Sequence, residues 1–297
     1  MRNFPVHWSE GLFLLPQQFQ AADRHFNEML ERSGKFDHEY NYGLRWLELS
    51  DDAIQNQSFQ VQECLARTRE GTIIALGEGQ EPDRIAMKEA LQKAQKTLLQ
   101  ANLQLPFEQA ALVTVYLAVP KWRSTGGNVN IDDSRDHFRF SEVRSIRVDE
   151  STGENDQEVC LKSLNLVLKT SEDADLSNYE LLPIGRVKRA GEQGPELDTD
   201  YIPPLLTIDA WEPLQKDIVQ RIYDWIGNKI EVLSEQIISR GITLTSQDPG
   251  DLDRLLMLMV LNPAYASLYN LAFARGVHPF TAYWELCRIV GQLSIFS

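Results

Sequence analysis

Cysteine is scarce in this chain, and the three present, Cys64, Cys160 and Cys287, lie far apart with no C-x-x-C spacing. An odd, scattered set excludes a disulfide framework and gives no zinc pattern. Each sits among apolar neighbours, where a free thiol behaves as a small hydrophobe, so the expected compartment is reducing and cytoplasmic. Histidine is also rare: His7, His25, His38, His137 and His278 show neither H-E-x-x-H spacing nor a cysteine at ligand distance. No metal and no cofactor is expected. Long apolar runs are missing too. Pro5, His7, Ser9, Glu10 and Pro16 interrupt the N-terminal segment, and no later stretch reaches about 18 uninterrupted apolar residues, so neither a signal peptide nor direct membrane insertion is expected.

The entry points of common enzyme chemistries are absent as well. No G-x-x-x-x-G-K-[ST] or G-x-S-x-G element occurs. Gly77-x-Gly79 leads into Gln80, Glu81 and Pro82 rather than a third glycine and a helix start, so it reads as a turn. The Asp51-Asp52 and Asp132-Asp133 pairs fall in polar loop stretches, where solvation accounts for them. No catalytic residue is assigned, and the chain is not expected to be an enzyme.

Positive charge is in deficit. The 43 acidic against 29 basic side chains leave a formal net charge of −14, which repels phosphate backbones and anionic surfaces. Nucleic acid is therefore not an expected partner. The local arginine-rich stretches, Arg139 to Arg147 and Arg186 to Arg189, alternate with other residues as a strand with one wet face does.

What is present is a 297-residue chain with 43% hydrophobic residues, enough for two folded domains. Phe19, Ala22, Phe26 and Met29-Leu30 recur at helical spacing between Pro16 and Gly34, predicting a helix over 17–33. From Tyr42 the period becomes two: Leu44 and Trp46, then Phe59, Val61, Glu63 and Leu65, then Thr72 to Leu76. A helical pattern over 82–105 interrupts the strands, which resume at Ala111 to Val119, Phe138 to Val148 and Val159 to Lys169. Beyond the Gly191 to Pro195 loop and Pro203-Pro204 the chain turns helical. Val219, Ile222, Ile226, Ile230, Leu233 and Ile237 form one stripe ended by Gly241, Asn262-Pro263 restarts a helix after an apolar run, and Pro279 opens the last helix.

The fold class expected is α+β: an antiparallel β-sandwich or barrel over 1–185 followed by an α-helical bundle over 186–297, with helix 17–33 free to pack in either. Ile222, Ile226, Leu233 and Ile237 are the candidates for a bundle core or a seam between identical chains.

The most informative stretch is the N-terminal one. Val6, Trp8, Glu10-Gly11, Leu12, Leu14, Pro16-Gln17-Gln18, Phe19-Gln20 and Asp23-Arg24 are crowded into it. This opening resembles the TssK (ImpJ/VasE) family of type VI secretion baseplate proteins, with Leu12 where the family usually has Met and Gln18 where it usually has His. Asn178 to Pro183, Tyr201 to Leu206 and His278-Pro279 to Leu293 follow in order as further landmarks. The Leu12 exchange conserves volume, whereas the Gln18 exchange removes the motif's ionisable side chain.

The resemblance implies a sandwich "shoulder" akin to phage receptor-binding proteins, a helical "neck", a homotrimer, and a structural adaptor role at the inner face of the bacterial inner membrane. It also implies TssF and TssG as baseplate partners and docking onto the TssJ-TssL-TssM membrane complex. The family usually continues into a C-terminal domain that contacts that complex, so docking is expected to be lost or weakened here. The alternative is a phage or phage-like tail receptor-binding adhesin. Trp8, Phe13, Leu14, Pro16, Gln17, Gln18, Phe19, Asp23 and Arg24 are the candidates for a partner interface, because so heavy an apolar load near a terminus needs a cover, which either the chain's own sheet or bundle or a partner subunit can supply.

Overall fold

The computed structural model describes residues 3–296 except 57, 78, 81, 83, 101–111, 132–137, 190–194 and 249. The expected helix beyond residue 100, Ala111, the Asp132-Asp133 pair, His137 and residues 191–194 of the glycine loop lie outside the described residues. The chain divides into two units. One comprises Met1–Trp46, Glu70–Ile73 and Leu205–Ser297; the other comprises Leu47–Arg69 and Ile74–Pro204.

The second of these units is built on sheets, although residues 43–46 of its first strand and Ile73 of its third fall within the first unit's ranges. One has the order β1 (Gly43–Leu49), β2 (Ser58–Arg67), β3 (Ile73–Leu76), with β4 (Arg84–Ala86) antiparallel to β2. Another has the order β11 (Pro195–Leu197), β10 (Tyr179–Arg189), β5 (Leu112–Pro120), β9 (Val167–Thr170), antiparallel throughout. Phe59 of β2 is fully buried against Gly185 of β10, so the two sheets face each other across an apolar layer that includes Val61, Ile74, Val113, Val115, Leu117, Leu182 and Ile184. A third sheet joins β6 (Val129–Asn130) in parallel to β7 (Phe140–Arg147), which runs antiparallel to β8 (Gln157–Leu164). Its last strand is exposed along almost its whole length.

Three departures from the expected layout have physical causes. In β2 the buried residues are Phe59 and Val61, then Cys64 and Ala66, so Glu63 and Leu65 point outward. A one-residue slip in a period-two strand exchanges its faces. The expected boundary at residue 185 falls inside β10, because Pro183 and Gly185 mark a register shift rather than an end, and β11 then pairs with the strand's last residues. The unit's edge lies at Pro204. The helical pattern over 82–105 resolves into β4 and then α3 (Lys88–Gln100), while a short helix, α2 (Asp51–Gln55), occupies the acidic loop.

A buried polar cluster ties the third sheet to the other two. Arg139 Nη1 donates to Glu180 Oε1 at 2.6 Å and to the Pro120 carbonyl at 2.8 Å, and Thr68 Oγ1 donates to Glu180 Oε2 at 3.2 Å. The Arg139 and Glu180 side chains are only 10% and 8% exposed. A buried carboxylate is tolerated because each oxygen has a donor.

The other unit is helical: α1 (Pro16–Asp37), α4 (Arg221–Arg240), α5 (Asp251–Phe273) and α6 (Pro279–Leu293), with a π-helical stretch, Pro213–Gln220, leading into α4. α1 runs through Gly34 to Asp37 rather than stopping there. α4 ends as its glycine predicts: Gly241 has φ 63°, its N–H reaches Ile238 O at 3.2 Å, and Ile242 N–H reaches Ile237 O at 2.9 Å, a Schellman cap closed by buried Ile242. Pro263 does not restart a helix but sits inside α5. The ring removes one helical donor, and the buried Leu261, Ala264, Leu268, Leu271 and Ala272 hold the helix together around it. By length and composition α5 could cross a membrane, with mean hydropathy 1.3 and 28% of that window buried. That average escapes a search for uninterrupted apolar runs, since Asn262 and Asn270 break the run. Ile208, Val219, Ala282 and Ile289 complete the buried cluster.

Candidate assembly surface

The segment before α1 folds back along that helix. Asn3 N–H donates to Glu28 Oε2 at 2.7 Å, His25 Nδ1 donates to the Asn3 carbonyl at 2.9 Å, and the Trp8 and Phe19 rings lie 5.9 Å apart. The Asn3 N–H holds the Glu28 carboxyl below its usual range, and Arg32 reinforces this. Pro16 occupies the first helical turn, where its missing N–H costs nothing. Gln18 supplies the cap: its Oε1 accepts the Leu15 N–H at 2.7 Å while its own N–H donates to Leu15 O at 3.0 Å. The position where the sequence departs from the family pattern thus has a local structural duty that needs no titratable group.

Helix α1 buries none of its residues. Trp8 is 51% and Phe13 79% exposed, and Leu14, Leu15, Phe19, Phe26, Met29, Leu30 and Phe36 are also exposed. Gln17 and Asp23 face solvent, and Arg24 is half-buried. The structure therefore brings the predicted interface residues together on one helix and its preceding strap, with their apolar groups uncovered.

The other helices repeat this arrangement. On α4, Ile222 and Ile226 pack against the buried cluster, Leu233 is buried and Ile237 is half-buried. Of the four seam candidates, Ile222 and Ile226 thus lie toward the chain's own bundle. Outside the stripe, Ile218, Trp225 and Val232 follow one another at intervals of seven residues and are exposed. Arg221 lies 5.3 Å over the Trp225 ring. On α6, Tyr283, Trp284 and Val290 are exposed, Trp284 at 65%, while Ala282 and Ile289 face inward. Periodicity found the inner face of α4 and missed the outer Trp225 and Val232, although their seven-residue spacing, continued back to Ile218 in the π-helical stretch, was readable.

Across α4 and α5, Tyr223 stacks on Tyr265 with ring centroids 4.2 Å apart, and Tyr265 occupies the space a side chain at Gly227 would need. The hydrogen bond with Tyr265 pushes the Tyr223 hydroxyl up to about 12. Among the described residues no group of three or more His, Cys, Asp or Glu could hold a metal ion. The chemistry available here is desolvation of large apolar groups.

The family model described as "Bacterial Type VI secretion, VC_A0110, EvfL, ImpJ, VasE" matches residues 18–297. The chain belongs to this VasE family. A relative from Pseudomonas aeruginosa, the type VI secretion system baseplate component TssK1, is 25% identical over 299 residues, which cover 99% of this chain. The chain spans 62% of that relative's length. A crystal structure of TssK superposes with a TM-score of 0.81 at 17% identity, covering 99% of this chain and 62% of that one. A chain of a structure titled the baseplate complex from the type VI secretion system matches with a TM-score of 0.78 at 22% identity, covering 100% and 90%. The TssK-TssF-TssG baseplate subcomplex seen by cryo-electron microscopy contains a chain matching at 0.76, also 22% identical, covering 99% and 88%. These likenesses establish that the VasE-family chain has the α+β fold of TssK.

Proposed function

We propose that this chain is a non-catalytic structural subunit of a type VI secretion baseplate, acting on the cytoplasmic side of the inner membrane. It self-associates as a trimer through its helical unit and joins partners equivalent to TssF and TssG. Carrying the proposal is the uncovered apolar surface of the helical unit: α1 with no buried residue, and Trp225 and Trp284 displayed on α4 and α6. Large exposed aromatic patches are atypical of solitary soluble domains and mark association surfaces, where such side chains concentrate binding energy. Membership of the VasE family supports reading that surface as part of a type VI secretion assembly, and likeness to a chain of the subcomplex containing TssK, TssF and TssG supports the partner class.

The mechanism is load transfer through interfaces, with no bond made or broken. Co-purification of the chain with untagged TssF and TssG from its own source, followed by native mass determination, tests it. The expected product contains three copies of the chain with both partners. A monodisperse monomer that ignores both proteins would refute the proposal.

A further inference from the structure

Two imidazoles meet where the chain leaves α1 and where α6 begins. His38, the residue after Asp37, lies with its ring centroid 4.2 Å from that of His278, the N-cap of α6. Both rings use Nδ1 in the same way: Tyr40 N–H donates to His38 Nδ1 at 3.0 Å, and Phe280 N–H donates to His278 Nδ1 at 3.1 Å. A nitrogen that accepts carries no proton, so both rings are neutral with the proton on Nε2. His278 Nε2–H in turn donates to the Tyr40 carbonyl at 2.9 Å. Tyr40 is therefore held from both ends, its N–H by one histidine and its C=O by the other.

Protonation of either ring places a hydrogen on Nδ1, pointing at a backbone N–H. An acceptor becomes a second donor, and the turn or cap it made is lost. Protonation at His278 also puts a positive charge at a helix N-terminus, where the macrodipole opposes it. Protonating both sets like charges on two tilted rings whose centroids are 4.2 Å apart.

The surroundings offer little compensation. Phe280 and Tyr40, with ring centroids 5.3 Å apart, line the cluster, and Phe280 stands 5.9 Å edge-on from His38. Lys35 and the exposed Asp37 and Glu39 lie on the α1 side. The first turn of α6 has no acidic residue. Ahead of α6, Arg275 is exposed, and Asp209 is already engaged by the Gly276 N–H at 2.9 Å and by Arg45 at 3.8 Å. Burial holds His278 below the usual histidine range, the bond to the Tyr40 carbonyl partly opposes this, and His38 adds to the depression.

We propose that His38, Tyr40 and His278 form a pH-sensitive clasp that fastens the end of α1 to the start of α6 while both imidazoles are neutral, and releases it on acidification. The sign follows from linkage. His278, held below the usual histidine range in the folded chain, binds more protons when released, so its hold on Tyr40 is fully present above the ordinary histidine value of about 6.5 and weakens as pH falls below it. Because α1 carries the uncovered aromatic face, acidification loosens the mounting of that face. The inference rests on the hydrogen-bond geometry and stands whether or not the baseplate assignment does.

Hydrogen exchange by mass spectrometry on the full chain, at about pH 7.5 and about pH 5.5 with correction for intrinsic rates, tests it. Peptides spanning 35–45 and 276–283 should lose protection on the order of tenfold at the lower pH, while peptides of β5 and β10 keep theirs. In the His38→Asn/His278→Asn double variant the amide oxygens can accept the same N–H bonds without titrating, so protection should be equal at both values. An unchanged wild type, or an equal loss in the double variant, would overturn the clasp. Should the double variant fail to fold, NMR titration of the wild-type imidazoles decides: His278 titrating below the usual range in step with amide shifts of Tyr40 and Phe280 supports the clasp, and titration at or above that range removes it.

Discussion

The edge of the Phe59 ring rests on Gly185, so closely that a Cβ at the glycine would lie 3.0 Å from Cζ and 3.1 Å from Cε2. This contact sets the separation of the two sheets at the point where β10 shifts register. Gly185→Ala should cost about 1–3 kcal/mol by overpacking, since the ring cannot withdraw from a filled core. Urea unfolding measures it, and the double change Gly185→Ala with Phe59→Leu should recover part of the loss through the space it opens.

Glu180 carries the buried cluster that gathers Arg139 and Thr68. Glu180→Ala leaves a buried guanidinium without its carboxylate, and the expected penalty is about 3–5 kcal/mol. A simultaneous Arg139→Met should be much milder than the sum of the two single changes, because it removes the stranded charge. Denaturant midpoints of the three variants compare the effects.

Changes to the displayed aromatics should behave in the opposite way. Trp225→Glu and Trp284→Glu alter side chains that face outward, so the unfolding free energy of a single copy should shift by no more than about 0.5 kcal/mol. The native mass should fall to that of one copy. A preserved oligomer in both variants would show that association uses another surface.

The three cysteines should separate by reactivity. Cys64 is buried in β2 and burial pushes its thiol up to about 12, whereas Cys160 and Cys287 are exposed. A thiol reagent on the native chain should modify two groups quickly and the third only on unfolding.

Much of this fold was legible because long patterns average out local exceptions. The stripe from Val219 to Ile237 found α4, and its glycine found the cap. Failures arose where a local signal met a tertiary one. Cys64 and Ala66 are buried in place of Glu63 and Leu65 because a strand can slip by one residue without losing its length. Pro263 is carried within α5 by packing on both sides of it. The motif around Trp8 singled out residues that stand exposed, but not the duty of Gln18 as a cap, since a single side chain reaching back three residues leaves no periodic trace. The exposed Trp225 and Val232 went unseen because the inner stripe on the same helix is denser.

The uncovered faces of α1, α4 and α6 also bear on the life of the chain in the cell. A newly made copy presents Phe19, Trp225 and Trp284 to the quality-control machinery until something covers them. Chaperones and proteases sort chains by such exposed surface, and small differences in it change abundance several-fold. A chain made in excess of whatever covers these helices is exposed to that sorting, so its steady-state amount depends on its cover as well as on its own expression.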